Sequence, residues 1–283
     1  MMIRIVSDTL ANLPPEIVDR YQIPLAPQYV VFGEESYREL FDMSASEFYS
    51  RQAVAAKLPY TSAPSPGDFE VIYGAILRED PRATILSIHP SAEVSGTVRS
   101  ALPAAAMFPD ADIHVFDTRS ASLGQGLMVL EAARMAEEGA DLPAILARLE
   151  AMRDAMRVRF VVATLEYLAK GGRIGRAAHL IGAMLDIKPV LALNDGVVEP
   201  HARFRTHRRA LAALQEEVIS DAKGKPGLHL AVMHAACEDE CRAFTEAVCA
   251  ELSPAVFLTG ELSPAVGAHV GPGTLGVCWY YPS

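Results

Sequence analysis

Short apolar runs alternate along this 283-residue chain with longer segments in which apolar residues recur every three or four positions. The short runs are rich in β-branched and aromatic residues and predict strands, whereas the longer segments predict amphipathic helices. Regular alternation of the two is typical of an α/β fold with mostly parallel sheets. The predicted strands are Ile3–Val6, Tyr29–Phe32, Thr84–Ile88, Ile113–Phe116, Phe160–Ala163, Leu228–Met233, Ala255–Leu258 and Val277–Tyr281. The clearest predicted helices are Leu123–Glu138, Leu142–Arg157, His207–Asp221 and Glu238–Leu252.

The chain is long enough for two α/β domains, and the pattern indicates where they meet. A long predicted helix gives way to a basic stretch that closes at Arg159, and a new strand begins at Phe160. We therefore predict an N-terminal α/β domain of residues 1–157 and a C-terminal α/β domain of residues 158–283.

Charge and hydropathy argue against two classes of protein. The formal net charge is −10 at pH 7, from 25 basic and 35 acidic residues, which is unfavourable for a general nucleic-acid-binding protein. No apolar run reaches the roughly 18 residues that a membrane span needs, so we expect no stable insertion into a membrane. The first residues, Met1–Val6, are typical of a strand rather than of a signal peptide.

The four cysteines lie late in the chain and lack the spacing of a disulfide framework. They are Cys237, Cys241, Cys249 and Cys278. We therefore expect reduced thiols in a cytoplasmic protein. His234 adds a third candidate metal ligand to Cys237 and Cys241, but no fourth is apparent nearby, so we predict neither a metal nor another cofactor.

Polar residues follow three predicted strands of the N-terminal half directly. These residues are Ser7-Asp8-Thr9, His89-Pro90-Ser91 and Asp117-Thr118. Because ligands of parallel α/β sheets bind at the carboxyl ends of the strands, we expect these residues to converge on one edge of the sheet.

Three separate segments supply hydroxyl groups, glycines and one imidazole but no acidic side chain. They are Thr61–Ser65, Ser95-Gly96-Thr97 and Gly267–Thr274. Ser95 is placed to cap a helix that runs toward Met107, and the free backbone N–H groups at such a helix start attract an anion. A site built from these residues suits a carboxylate, although each segment alone is equally consistent with an ordinary cap or turn.

The segment Gly271–Gly276 matches G-x-G-x-x-G, but it precedes a predicted strand and opens no helix. We therefore interpret it as a turn that permits close approach of the backbone rather than as a dinucleotide-binding motif. His269, just before this turn, is the only ionisable side chain of that loop.

Two clusters of arginine stand out in this acidic chain. Gly171–Arg176 connects two helical segments; its glycines permit close backbone approach, and its two arginines offer forked donors to a carboxylate or phosphate. The second cluster, His201–Arg209, contains Arg203 and Arg205 and suits an anionic partner. Arginines that simply face solvent account for either cluster equally well.

A nucleophilic enzyme is an alternative interpretation. Ser95 and His269, with Asp8 or Asp117, supply the residue types of a serine hydrolase or acyl transferase. The G-x-S-x-G turn that presents the nucleophile in many such enzymes does not occur in the chain.

Taken in order, these motifs resemble those of the DegV family of bacterial fatty-acid-binding proteins. The resemblance covers nearly the whole chain, and its most specific part is Thr164–Gly175. Two positions depart from the family pattern, because Thr9 stands where a serine is usual and Asn12 where an aspartate is usual. The matching segments are Ile5–Thr9 with Leu13-Pro14, Thr61–Ser65, Ser95–Thr97, Asp117-Thr118 with Gly124 and Gly126, Thr164–Gly175, Ile187–Leu191, Arg203–Thr206, and His269 with Gly271–Thr274.

The resemblance implies two α/β domains that hold a long-chain fatty acid between them, with the tail inside the protein. It implies a protein that presents its ligand to a fatty-acid kinase and has no turnover of its own. The apolar stretches Leu180–Leu185 and Val190–Leu193 are candidates to line the tail channel, but the sequence does not define the preferred chain length.

Individual roles also follow from the resemblance by matching position. Arg205 and Arg203 correspond to the region that docks the kinase. The residues that correspond to the surroundings of the fatty-acid carboxylate are Thr61, Ser62, Ser95, Gly96, Arg173 and His269.

Overall fold

The computed structural model describes residues 3–183 and 187–282, and within these ranges thirteen strands form three sheets. The strands are β1 (Ile3–Asp8), β2 (Leu25–Ala26), β3 (Tyr29–Phe32), β4 (Glu35–Arg38), β5 (Tyr60–Ser62), β6 (Thr84–His89), β7 (Asp112–Asp117), β8 (Arg157–Val161), β9 (Lys188–Asn194), β10 (Val197–Phe204), β11 (His229–Ala235), β12 (Val256–Glu261) and β13 (Thr274–Tyr280).

Ten α-helices and two 3-10 helices connect the strands in the same ranges. The 3-10 helices cover Thr9–Ala11 and Gly175–Ala183. The α-helices are α1 (Pro15–Arg20), α2 (Ala45–Val54), α3 (Pro66–Glu79), α4 (Thr97–Ala106), α5 (Leu123–Glu137), α6 (Leu142–Ala155), α7 (Glu166–Lys170), α8 (His207–Ala222), α9 (Glu238–Cys249) and α10 (Pro264–Val270).

The first sheet has the strand order β2-β1-β6-β7, and every pair of neighbours in it is parallel. The carboxyl ends of β1, β6 and β7 therefore meet at one edge. Asp8 Oδ2 lies 2.7 Å from His89 Nδ1, and His89 is in register with Asp117. The predicted convergence of the residues at these strand ends is confirmed.

The second sheet corrects the prediction of mostly parallel sheets. Its order is β10-β9-β8-β13-β11-β12, and only β11 and β12 run parallel. Two features cause the difference. A tight turn at Asp195-Gly196, where both residues have positive φ, folds β9 and β10 into a hairpin. The last strand, β13, then inserts antiparallel between β8 and β11.

A small antiparallel sheet of order β4-β3-β5 and the helix α2 form a separate unit between β2 and α3. We call residues 29–62 the flap. Its outer strand β4 is polar and its strand β5 is three residues long, which is why neither shows a strand pattern in the sequence. Tyr49 of the flap donates a hydrogen bond to the carbonyl of Leu262, 3.0 Å away, just before α10.

The helix α5 lies at the centre of the molecule and packs against β1 and β6 on one side and β11 and β13 on the other. Ten of its residues are buried, and the largest apolar cluster joins Met128 of this helix with Ala231 of β11. The two predicted domains therefore share a continuous core, and their division at residue 157 stays a prediction.

Neither a membrane-spanning helix nor a metal-binding cluster occurs in the described residues. No helix in residues 3–183 and 187–282 is long and apolar enough to cross a membrane. No three His, Cys, Asp or Glu side chains in these ranges are grouped to hold a metal ion. Cys237 instead donates to the carbonyl of Thr274, 3.3 Å away.

Candidate functional site

An apolar cavity lies between the carboxyl edge of the first sheet and the face of the second. Residues from both sides of position 157 line it. A cleft lined mostly by apolar side chains, with a few polar groups among them, is typical of a site for an apolar small molecule. Its apolar lining includes Leu10, Val94, Ala121, Val158, Phe160, Leu168, Leu193, Val198, Met233, Leu262, Ala265, Val266, Val270 and Val277.

Five of the six residues that the resemblance places around a carboxylate line this cavity. They are Thr61, Ser95, Gly96, Arg173 and His269. The sixth, Ser62, is exposed on the flap and donates to the carbonyl of Ala63, 3.3 Å away.

A series of contacts brings these five residues to one end of the cavity. The hydroxyl of Thr61 is 2.8 Å from His269 Nε2. Arg173 bonds the carbonyl of Val94, the residue before Ser95, at 3.0 Å. A Cβ atom at Gly96 would lie 3.3 Å from Ala63, two residues after Thr61. These contacts hold four separate segments beside one another at the cavity, and we call Thr61, Ser95, Gly96, Arg173 and His269 together the ring.

His269 is neutral at physiological pH. Burial, together with the nearby Arg173 guanidinium, lowers the pKa of His269 from 6.5 to about 4. Its Nδ1 atom is buried and has no hydrogen-bond partner in the described residues. Gly171 packs directly against this nitrogen, since a Cβ atom at position 171 would lie 2.2 Å from it. The imidazole of His269 therefore fits only because position 171 has no side chain.

Arg173 brings the positive charge to this end of the cavity. Its Nε atom donates to Val94 at 3.0 Å and its Nη1 atom to the carbonyl of Gly171 at 2.7 Å. Both acceptors are neutral, and no carboxylate of the described residues pairs with this guanidinium. The cavity is thus lined by a guanidinium cation without a carboxylate partner and by the hydroxyls of Thr61 and Ser95.

Ser95 does not cap α4 as the sequence predicts. The amide of Ser100 bonds the carbonyl of Gly96 at 3.1 Å, so the helix begins one residue later and Gly96 is its N-cap. The Ser95 amide instead closes a turn onto the carbonyl of Ser91 at 3.0 Å. The Ser95 hydroxyl is 2.8 Å from Thr97 Oγ1 and 3.3 Å from the Thr97 amide.

The serine-enzyme arrangement that the sequence left open is not assembled in the described residues. Ser95 bonds Thr97 and His269 bonds Thr61, and no hydrogen bond joins Ser95 to His269. Asp117 accepts from the amides of Ala92 and Arg119, away from both. A Ser-His-Asp array does exist deeper in the protein, formed by Ser87, His89 and Asp8, but these side chains are completely buried and do not line the cavity.

The remaining motifs have simple placements. Gly271 and Gly273 have φ near +77° and form the turn before β13, as the sequence predicts. Of the predicted tail-channel stretches, Leu193 lines the cavity, while residues 184–186 lie outside the described residues.

The two arginines expected to dock a kinase lie on the surface. Arg205 is exposed between β10 and α8 and makes no polar contact in the described residues. Arg203 is exposed on β10, with its Nη2 atom 3.1 Å from His179 Nε2 of the second 3-10 helix.

Sequence reasoning missed two buried polar residues, one that lines the cavity and one that bonds the cavity-lining residue Ala265. Gln28 lines the cavity, and its Nε2 atom is 2.9 Å from Thr97 Oγ1. Glu39 is fully buried at the end of β4, and its carboxylate accepts from the Thr9 hydroxyl and the Ala265 amide, each at 2.6 Å. Neither belongs to a motif, and contacts over 69 and 226 positions leave no local signal.

Curated relatives match this chain along its whole length. Protein DegV of Bacillus subtilis is 34% identical over 283 residues, which are 99% of this chain and 100% of the relative. A DegV domain-containing protein of Deinococcus radiodurans is 35% identical over 277 residues, which are 98% of each.

Solved structures with the same fold cover the chain equally well. The structure described as "Fatty Acid Binding of a DegV family Protein from Thermus thermophilus" has a TM-score of 0.93 at 37% identity, over 100% of both chains. The structure of DegV from Bacillus subtilis, described as a fatty acid binding protein, has a TM-score of 0.92 at 32% identity, also over 100% of both chains. A family model described as "Uncharacterised protein, DegV family" matches residues 2–282. The chain belongs to the DegV family.

Proposed function

We propose that this protein binds a long-chain fatty acid and presents its carboxylate to a fatty-acid kinase. The tail lies in the apolar cavity, and Thr61, Ser95, Gly96, Arg173 and His269 surround the head group. The relatives from Thermus thermophilus and Bacillus subtilis are described as fatty-acid-binding proteins, which supports the same class of ligand here.

One observation carries the proposal: Arg173 lines a mostly apolar cavity and has no acidic partner in the described residues, whereas Arg159, the other arginine of the lining, pairs with Glu217. A partly buried charge without a counter-charge is unfavourable, and a ligand carboxylate supplies one. The hydroxyls of Thr61 and Ser95 donate to the remaining lone pairs. Neutral His269 bonds the Thr61 hydroxyl and adds no second charge.

The cavity also accounts for affinity. A sixteen-carbon acid buries about fifteen carbons, which gives roughly 12 kcal/mol at about 0.8 kcal/mol per methylene. Lost translational and conformational freedom offsets a large part of this gain. A dissociation constant below about 1 μM corresponds to the remainder. The polar ring then determines orientation more than affinity.

Presentation to a kinase rests on the charged surface beside the site. Arg203 contacts His179, which belongs to the 3-10 helix that follows Arg173, and Arg205 lies next along the chain. These exposed cations suit an acidic surface on a partner. The kinase transfers the γ-phosphate of ATP to the bound carboxylate in the cytoplasm, and this protein supplies no catalytic group.

Mass spectrometry of an organic extract from freshly purified, denatured protein tests the proposal. We expect about one fatty acid per chain, and Ser95→Ala should retain less of it, while the exposed control Ser50→Ala should retain as much as the wild type. A protein that is empty and takes up no added fatty acid contradicts the proposal. A covalent fluorophosphonate adduct at Ser95 would instead support the serine-enzyme alternative.

A further inference from the structure

We propose that Gln28 and Thr97 are positioning residues that orient the Ser95 hydroxyl, so that its proton faces the cavity and the site selects an acceptor-only head group. We call Gln28, Thr97 and Ser95 the donor chain. The inference rests on the proposed function, because it specifies which lipid head group the same site prefers.

The donor chain is buried and continuous. Gln28 Nε2 lies 2.9 Å from Thr97 Oγ1, and Thr97 Oγ1 lies 2.8 Å from Ser95 Oγ. The exposed fractions of Gln28, Thr97 and Ser95 are 3%, 0% and 8%, so water does not compete for these bonds. Gln28 and Ser95 both line the cavity.

Asp8 fixes the orientation of the Gln28 amide. The Asp8 carboxylate faces four donors: His89 Nδ1 at 2.7 Å, the Leu10 amide at 3.0 Å, and the side-chain amides of Gln28 and Gln125, each at 3.1 Å. An ionised carboxylate has acceptor capacity for all four. The NH₂ group of Gln28 must therefore face Asp8, and the same group donates to Thr97.

The Leu10 amide shows that Asp8 accepts at Oδ1, because a backbone N–H can only donate. Gln28 Nε2 faces the same oxygen, whereas His89 lies on the other oxygen, Oδ2, at 2.7 Å. The acceptor role of Asp8 toward Gln28 therefore does not depend on the protons of His89.

The direction of each remaining bond then follows. Thr97 Oγ1 accepts from Gln28, and Ser95 Oγ is the acceptor that the described residues place within reach of the Thr97 hydroxyl proton. Thr97 is fully buried whereas Ser95 lines the cavity, so the arrangement that leaves no hydroxyl proton unpaired in the interior has Thr97 donating to Ser95. Ser95 Oγ also accepts from the Thr97 amide at 3.3 Å. Both acceptor positions of the Ser95 hydroxyl are occupied, and its proton has no acceptor in the described residues. That proton is the group that Ser95 offers to a ligand.

Head-group selectivity is the consequence. A carboxylate only accepts, and the chain of aligned bonds strengthens the last donor in it. A fatty alcohol brings a proton of its own, for which Ser95 has no free lone pair. The site should therefore prefer hexadecanoate to hexadecanol by more than the charge on Arg173 alone provides.

The test compares these two lipids, whose tails are matched, on three forms of the full chain. Thr97→Val keeps the shape of the side chain and removes its hydroxyl, whereas Thr97→Ser restores the hydroxyl. The quantity measured is the ratio of the two dissociation constants. We expect Thr97→Val to lower the preference for the acid about tenfold and Thr97→Ser to keep it. A structural defect alone would weaken the binding of both lipids to the same extent and leave this ratio unchanged.

Gln28→Met provides an independent variant should Thr97→Val not fold, and it should lower the preference in the same way. A wild-type preference retained in a folded Thr97→Val or Gln28→Met protein would overturn the inference while leaving fatty-acid binding intact. A wild-type protein that binds neither lipid would instead overturn the proposed function, and the inference with it.

Discussion

The hydroxyl of Thr61 lies 2.8 Å from Nε2 of His269, although 208 positions separate the two residues. This contact ties the flap to α10 at the polar end of the cavity. Because His269 is partly buried and Arg173 is near it, the contact has a pH dependence whose sign can be predicted. The unfolded chain takes up a proton on this histidine near pH 6.5, whereas the folded protein resists protonation until about pH 4.

The unfolded state therefore binds more protons between these two values, and stability falls as the pH falls from 6.5 to about 4. His269→Gln removes this contribution. We expect the loss of unfolding free energy between pH 7.5 and pH 4.5 to be smaller in the variant by about 2 to 3 kcal/mol, measured by urea denaturation. His114→Gln, at an exposed histidine, is the control. Equal losses in His269→Gln and wild type would contradict the prediction.

Gly171 should be required for the position of the His269 imidazole. Its missing side chain leaves room for His269, since a Cβ atom there would lie 2.2 Å from Nδ1. Gly171→Ala must displace the imidazole or the backbone, which costs about 1 to 3 kcal/mol. We expect weaker fatty-acid binding, by about tenfold, together with a lower melting temperature. Gly182→Ala is the matched control, because a Cβ atom at Gly182 meets nothing within 4 Å. Identical affinities for the two variants would show that the imidazole position does not matter.

The sequence predicts those parts of the fold that depend on local pattern. The apolar run at Thr84–Ile88 lies within β6, and the helix predicted at Leu123–Glu138 matches α5 within one residue. The strand β4 is polar and mostly exposed, so only its pairing with β3 makes it a strand. The hairpin of β9 and β10 differs from the prediction for another reason: the apolar run Val190–Leu193 suits a channel lining and a buried strand equally well, and in the structure it lies in β9.

The same distinction applies to the candidate site, because local sequence patterns indicate some of its residues and not others. Thr61, Ser95 and His269 each carry a weak local signal, and two arguments group them before the structure does: their segments lack acidic side chains, and the family resemblance includes all three. Gln28 and Glu39 carry no such signal, because a buried amide or carboxylate is recognised by the donors that tertiary folding brings to it. Sequence patterns indicate which residues are buried, but not which residues distant in the sequence contact them in the interior.

Glu39 should oppose folding at neutral and alkaline pH. Burial raises the pKa of this carboxyl from 4.5 to about 7, an effect that nearby Asp8 reinforces and that the bonds from Thr9 and Ala265 only reduce. The unfolded chain loses this proton near pH 4.5 and the folded protein near pH 7. The stabilisation is therefore complete below pH 4.5 and is lost as the pH rises to about 7.

Glu39→Gln imitates the protonated form and should abolish this loss. We expect stability between pH 5 and pH 8 to decline less in the variant than in the wild type, by about 2 to 3 kcal/mol. Glu35→Gln is the matched control, because Glu35 is an exposed glutamate on β4, the strand that Glu39 directly follows. A variant whose stability declines as steeply as that of the wild type would place the ionisation of Glu39 outside this pH range.

Arg205 should affect phosphorylation without affecting retention of the lipid. Its side chain is exposed, makes no polar contact in the described residues, and does not line the cavity. Arg205→Ala therefore removes a charge from the surface and leaves the ring of polar residues unchanged. We expect kinase-coupled formation of acyl phosphate to slow by at least about fivefold at low protein concentration, since a charge at an interface rim acts mainly on association.

High salt should slow the wild type more than the Arg205→Ala protein, because screening weakens only those charge pairs that still exist. Arg82→Ala is the control, because Arg82 is also exposed but lies before β6, away from the basic surface. Fatty-acid content, measured on the same samples, should be equal in all three proteins. Loss of the bound lipid in Arg205→Ala would assign this arginine to fatty-acid binding rather than to kinase docking. If the lipid content and the phosphorylation rate both equalled those of the wild type, Arg205 would have neither role.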